Sequence, residues 1–243
     1  MAEAFAWGLL AASSLVFGAA AALRFQIALR TIGLIMGFGA GVLISAVAFD
    51  LVEEAVAKAS GHGAVLVGIF AGCGVFFGGD WLIDHQGGAS RKSAHGAQES
   101  DSPLAIVLGT VLDGLPESIV IGLTIYQSGA VGAAYLAAVF ISNVPEALSS
   151  TVGLRGRGWP GQQILGMWTA IALLSGVFSL IGYTAFRHSS PDVVAFVLAF
   201  AAGAILTMLA DTMMPEAYKH GGKLVGVVTT VGFAVAFLID QLA

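Results

Sequence analysis

Two short stretches, Leu112-Asp113-Gly114-Leu115-Pro116-Glu117 and Ile141-Ser142-Asn143-Val144-Pro145-Glu146, set carboxylates and a proline in the middle of two adjacent apolar segments. Each segment is long enough to cross a bilayer. An ionised carboxylate at mid-membrane costs roughly 2.5 to 3.5 kcal/mol even on lenient insertion scales, so a pair of such segments calls for a cation to neutralise them. The chemistry open to these residues is ion binding, and the cation reads as the substrate.

The two stretches are copies of one another. Asp113, Gly114, Pro116 and Glu117 align with Ser142, Asn143, Pro145 and Glu146, and in each the polar groups fall at i and i+4, stacked on one helical face. In each, the proline lacks an N–H and crowds the carbonyl four residues back, which frees the oxygens of Leu112 and Ile141. Freed carbonyls are tolerated inside a membrane only where something else satisfies them. A bound cation, a water or a neighbouring hydroxyl such as that of Ser142 would do so.

The elements that must position these residues are set by composition. The chain is 57% hydrophobic and 10% charged, with a mean hydropathy of +0.90, too little charge to clothe a water-soluble domain. Most Asp and Glu of this net −5 chain fall inside or at the ends of apolar runs. A span needs about 20 predominantly apolar residues, which predicts eight: about 5 to 23, 31 to 56, 63 to 83, 103 to 126, 129 to 154, 163 to 186, 191 to 217 and 223 to 241. Backbone groups must pair within each span, so these are helices. The expected fold is an all-α membrane protein, a single transmembrane domain over residues 1–243 with a flexible Gly/Ser/Ala-rich loop at about 84–102. The first segment has Glu3 before it and Arg24 after it, the reverse of a secretory signal, and is expected to remain as a helix.

Lys and Arg gather in cytoplasmic loops. Of the 10 present, Arg24, Arg30, Arg91, Lys92, Arg155, Arg157, Lys219 and Lys223 fall in or beside odd-numbered connections, against Lys58 and Arg187 in even ones. Both termini are therefore expected outside the cytoplasm, in a multi-pass protein of the cell membrane, an inner membrane in a two-membrane cell.

Phe38-Gly39-Ala40-Gly41 aligns with Phe200-Ala201-Ala202-Gly203, and the register carries through to Glu54-Ala55 and Glu216-Ala217. The second and seventh spans thus read as copies separated by an odd number of crossings, which makes them run oppositely. This is the pattern of an inverted repeat with a pathway at the repeat interface, arranged as three helices, a central pair and three inverted helices (3+2+3). Asp50, Glu53 and Glu54 lie near the outer end of the second span at i, i+3 and i+4, on one expected face; Asp211, Glu216 and His220 lie near the inner end of the seventh. With the central carboxylates they draw an acidic line across the membrane.

Other features need no ligand. Cys73 stands alone in an apolar run and is expected to be a buried small hydrophobe. Gly33, Gly37 and Gly41 give the second span a flat packing face. Trp7, Trp81 and Trp159 sit near span ends like interfacial anchors, Trp168 reads as packing, and His85 and His95 belong to a solvated linker.

On its paired Pro–Glu motifs, eight spans, long loop after the third and 3+2+3 repeat, the chain resembles the ZIP (Zrt/Irt-like) family of divalent metal transporters. That family's motifs typically read His-Asn-x-Pro-Glu-Gly in the fourth helix and His-Glu-x-Pro-Glu in the fifth. The resemblance implies metal ligands at Asp113, Glu117, Ser142, Asn143 and Glu146, and the acidic line read from the topology is the expected pathway, through Asp50, Glu53, Glu54, Asp211 and Glu216. Asp113 stands where the family usually has histidine, Gly114 where it often has asparagine, and Asn143 where it has a carboxylate. An all-oxygen set suits harder ions such as Mn²⁺, Fe²⁺ or Mg²⁺ better than imidazole does, while Zn²⁺ still accepts carboxylates.

The expected function is a secondary transporter importing divalent transition-metal ions of the Zn, Mn or Fe class by alternating access. A membrane metal sensor without flux and a proton-coupled carrier of an organic cation share the same features and stay open as alternatives. An intramembrane aspartyl protease built on Asp80 and Asp113 fits poorly, because Phe77 precedes Gly78-Gly79-Asp80 where such enzymes carry glycine, so no enzymatic activity is expected. No nucleotide-binding motif is present. No resident cofactor is expected, the metal being cargo; the partners are a divalent metal ion and the bilayer, with no nucleic acid, and a homodimer is left open.

Overall fold

The computed structural model describes residues 1–85, 103–128 and 132–242; the long connection carrying Arg91, Lys92 and His95 lies outside them. The described residues are all-helical, without strands. We number the long helices α1 (Ala2–Arg24), α2 (Leu29–Lys58), α3 (His62–Ile83), α4 (Pro103–Ser128), α5 (Ala133–Gly156), α6 (Gly161–Ala185), α7 (Pro191–Gly221) and α8 (Leu224–Leu242). All but α5 are long and apolar enough to cross a membrane by length and composition alone. In α5, Ser142, Asn143, Glu146, Ser149, Ser150 and Thr151 dilute the apolar character, yet all six are buried. The molecule is an all-α, multi-pass membrane protein, and among the described residues eight long helices lie where the sequence predicts them.

The helices form two groups of four. In one, α1 packs along α5 and α6, and α6 along α4; in the other, α2 packs along α8, and α3 along α7. Contacts of α2 with α5 and of α4 with α7 join the groups. Each pair has a mate under exchange of the first three helices with the last three, as an inverted repeat requires.

The backbone crossings repeat in detail. A β-carbon on Gly41 would overlap the Thr229 carbonyl, and one on Gly232 the Phe38 carbonyl; at the mate crossing Gly203 meets the Ile69 carbonyl and Gly72 that of Phe200. Small residues allow backbones this close without hydrophobic driving force between helices. Gly33 and Gly37 do the same against Gly221 and Val225, so the glycine face of α2 is a packing face.

Both α2 and α7 contain a π turn, at Val47–Glu53 and Leu209–Met213. Their first residues are paired by the alignment that matches Gly41 with Gly203. The π turns change the register expected for Asp50, Glu53 and Glu54: Asp50 and Glu54 are half-buried, whereas Glu53 is exposed. The three do not share one face. Cys73 is likewise half-buried and not fully enclosed, while Trp168 is buried, its Nε1 donating to Thr151 Oγ1 at 2.9 Å.

Candidate metal centre

Helices α4 and α5 run unbroken through Pro116 and Pro145. Each proline removes one N–H from a continuous ladder. Hydroxyls of the same stretches bond backbone oxygens nearby: Ser118 Oγ donates to the Gly114 carbonyl at 2.7 Å and Ser142 Oγ to the Val139 carbonyl at 3.0 Å. The motif spacing then brings Glu117 from α4 and Asn143 and Glu146 from α5 onto one cavity of ≈ 10 Å³. Thr110, Ser118 and Ser175 add hydroxyls to its wall, and Ala11, Ala12, Leu15, Val139 and Ile171 close it with apolar surface. The two carboxylates are 3% and 7% exposed, so bulk water does not solvate them.

A cavity of this size holds about one water. A hydrated divalent ion does not fit, whereas an ion stripped of its shell and held by side-chain oxygens does. Asn143 is oriented by α1, its Nδ2 donating to the Ala11 carbonyl at 3.5 Å, which leaves its amide oxygen as a neutral ligand. Among the described residues no three His, Cys, Asp or Glu side chains converge to hold an ion by themselves. The donor set is two carboxylates, an amide and hydroxyls.

Asp113 and Ser142 are also buried but do not line the cavity. They sit one helical turn from Glu117 and Glu146, on opposite membrane sides because α4 and α5 run oppositely. Around Ser142 the α5 backbone packs against Gly39 of α2. The hydroxyls of Thr110, Ser118 and Ser175 were not marked by the sequence. Serine and threonine in membrane helices commonly bond their own backbone, so residue type alone does not flag them.

The ends of the acidic line are matched. Glu54 pairs with Lys58 at 3.4 Å. At the aligned positions of α7, Glu216 Oε1 lies 2.7 Å from His220 Nε2, with Lys219 Nζ at 3.5 Å from its other oxygen. Each terminal carboxylate thus has an intrahelical cation or imidazole at i+4, a lysine on α2 and a histidine on α7. Asp211 is exposed and borders a separate groove with Ile69, Phe70, Phe77 and Leu206.

Fold and site together define a multi-pass helical membrane protein with a buried acidic centre between two inverted halves. No family model matches the chain. It is 27% identical over 190 residues to an Arabidopsis thaliana protein that carries a provisional zinc-transporter name, a match covering 77% of this chain and 30% of that protein. It is 24% identical over 203 residues to zinc transporter GufA of Myxococcus xanthus, covering 79% of this chain and 80% of GufA. The chain therefore spans under a third of the first relative's length. The resemblance read from the Pro–Glu motifs is supported by both matches.

Proposed function

We propose that this chain is a secondary transporter carrying divalent transition-metal ions of the Zn, Mn or Fe class into the cytoplasm by alternating exposure of the Glu117–Glu146 cavity. The observation that carries the reading is the convergence of two buried carboxylates and an amide from the paired motifs on one ion-sized cavity. Two negative charges neutralise a divalent cation, and the cation offsets their cost in the membrane. The names of the two relatives favour Zn²⁺ within this class, and carboxylate ligation is compatible with it. Asp50 and Glu54 serve the outer approach, and Glu216 with His220 the inner release, the odd-numbered connections facing the cytoplasm on the strength of their Lys and Arg.

In this scheme Asp113, one turn inward of Glu117, receives the ion as the site opens and contributes to selectivity. The test is reconstitution of the purified protein in sealed liposomes, with uptake measured for Zn²⁺, Mn²⁺, Fe²⁺, Cd²⁺ and Mg²⁺. Transition-metal flux is expected; metal binding without flux would identify a sensor, and flux of an organic cation without metal would identify the other carrier. In the same vesicles Asp113→His exchanges a charged oxygen ligand for a neutral nitrogen, which favours Zn²⁺ over Mn²⁺. The Zn²⁺/Mn²⁺ uptake ratio is expected to rise about tenfold or less; an unchanged ratio with retained flux would remove Asp113 from the ion's path.

A further inference from the structure

Tyr135 is a residue that the proposed site does not use. It lies near the start of α5, it is 2% exposed, and its hydroxyl has no hydrogen-bond partner among the described residues. Phenylalanine would fill the same space without burying an unsatisfied polar atom. A buried hydroxyl of this kind calls for a partner that is present in another state, such as a water or an ion.

Its position indicates which. Val139, one turn further along α5, lines the central cavity, and Glu146 follows Tyr135 by close to three whole turns, on the same face. Tyr135 therefore stands above the cavity, towards the α4–α5 connection. Asp50 lies in the π turn of α2 near the end that leads into the α2–α3 connection, on that same side of the molecule. Tyr135 belongs to the large buried apolar cluster of the molecule, which also contains Phe76, Val120, Ile121 and Leu123.

We infer that the Tyr135 hydroxyl is a polar step on the route between Asp50 and the central cavity, accepting a divalent cation or its water shell as the ion passes the apolar layer. The inference rests on the transport reading above. The phenol oxygen offers a neutral ligand where a further carboxylate would trap the ion. Conduction needs sites that bind firmly enough to admit the ion and weakly enough to release it.

The experiment compares wild type, Tyr135→Phe and Glu146→Ala as full-length protein in sealed liposomes, with Zn²⁺ uptake at sub-saturating concentration. Equilibrium Zn²⁺ affinity and thermal midpoint are measured in detergent. For Tyr135→Phe, uptake is expected to fall about five-fold, the size of one hydrogen-bonding contact. Its Zn²⁺ affinity should stay within about two-fold, because a step on the route changes rates and not the central site, and its thermal midpoint should match or exceed wild type. Uptake equal to wild type, or slower uptake accompanied by a lower midpoint, would overturn the role, the second by making the hydroxyl structural. Glu146→Ala transporting like wild type would instead overturn the underlying site, and the inference with it.

Discussion

Glu117→Ala and Glu146→Ala are each expected to abolish metal uptake while leaving a protein that inserts and folds. The cavity between α4 and α5 presents two carboxylates, and a divalent cation there needs both. Removing one leaves a net positive charge in surroundings that bulk water does not solvate. Truncating one partner of a buried charge pair costs about 2 to 5 kcal/mol, so uptake should fall by at least about 30-fold. Without metal the expectation reverses, because an intramembrane carboxylate has been deleted: the thermal midpoint should hold or rise. Uptake by radioactive Zn²⁺ and melting in detergent check both halves. A stably expressed variant transporting at the normal rate would defeat the site.

Gly122→Val and Gly182→Val are expected to cost the fold. A β-carbon on Gly122 would overlap the Ser179 carbonyl, and one on Gly182 the Ile119 carbonyl, at the crossing of α4 with α6. The obstacle is backbone and not the end of a flexible side chain, so no rotamer change relieves it. Such overpacking costs about 1 to 3 kcal/mol or more, and this crossing sets the distance between Glu117 on α4 and Ser175 on α6. Little folded protein should be recovered, with a clearly lowered midpoint in what remains. Gly74→Ala supplies the control: nothing lies within 4 Å of its added β-carbon, and alanine favours helix by about 0.5 to 1 kcal/mol. A Gly122→Val protein as stable as Gly74→Ala would contradict the crossing.

Much of this architecture is legible in the sequence, because the features that set it are compositional. Apolar runs mark the helices, and Gly41 and Gly203 mark matching crossings since only glycine admits a carbonyl so close. The motifs at Glu117 and Glu146 mark the candidate site because intramembrane acids are rare enough to need a reason, and here they recur at matching depth in consecutive helices. The π turns at Val47–Glu53 and Leu209–Met213 leave no such mark: a shifted hydrogen-bond register depends on tertiary fit, and a strictly α-helical reading misplaces Glu53. Nor does the sequence separate Glu117 and Glu146 from Asp113 and Ser142. Residues one turn apart share a helical face, and only the neighbouring helices α1 and α6 decide which of them a cavity reaches. Tyr135 escapes notice for a related reason, since an aromatic residue in an apolar run is ordinary until its hydroxyl is found buried without a partner.

In the proposed transport cycle Glu117, Asn143 and Glu146 together hold the ion. Anomalous diffraction at the zinc edge from crystals of the protein grown with Zn²⁺ tests it most directly. The expected result is a peak inside the α1–α4–α5–α6 cavity, at about 2.0 to 2.2 Å from a carboxylate oxygen of Glu117 and of Glu146, and absent from the Glu117→Ala/Glu146→Ala protein. A peak elsewhere in the membrane region with this cavity empty, or a peak in the cavity that survives the double substitution, would contradict it.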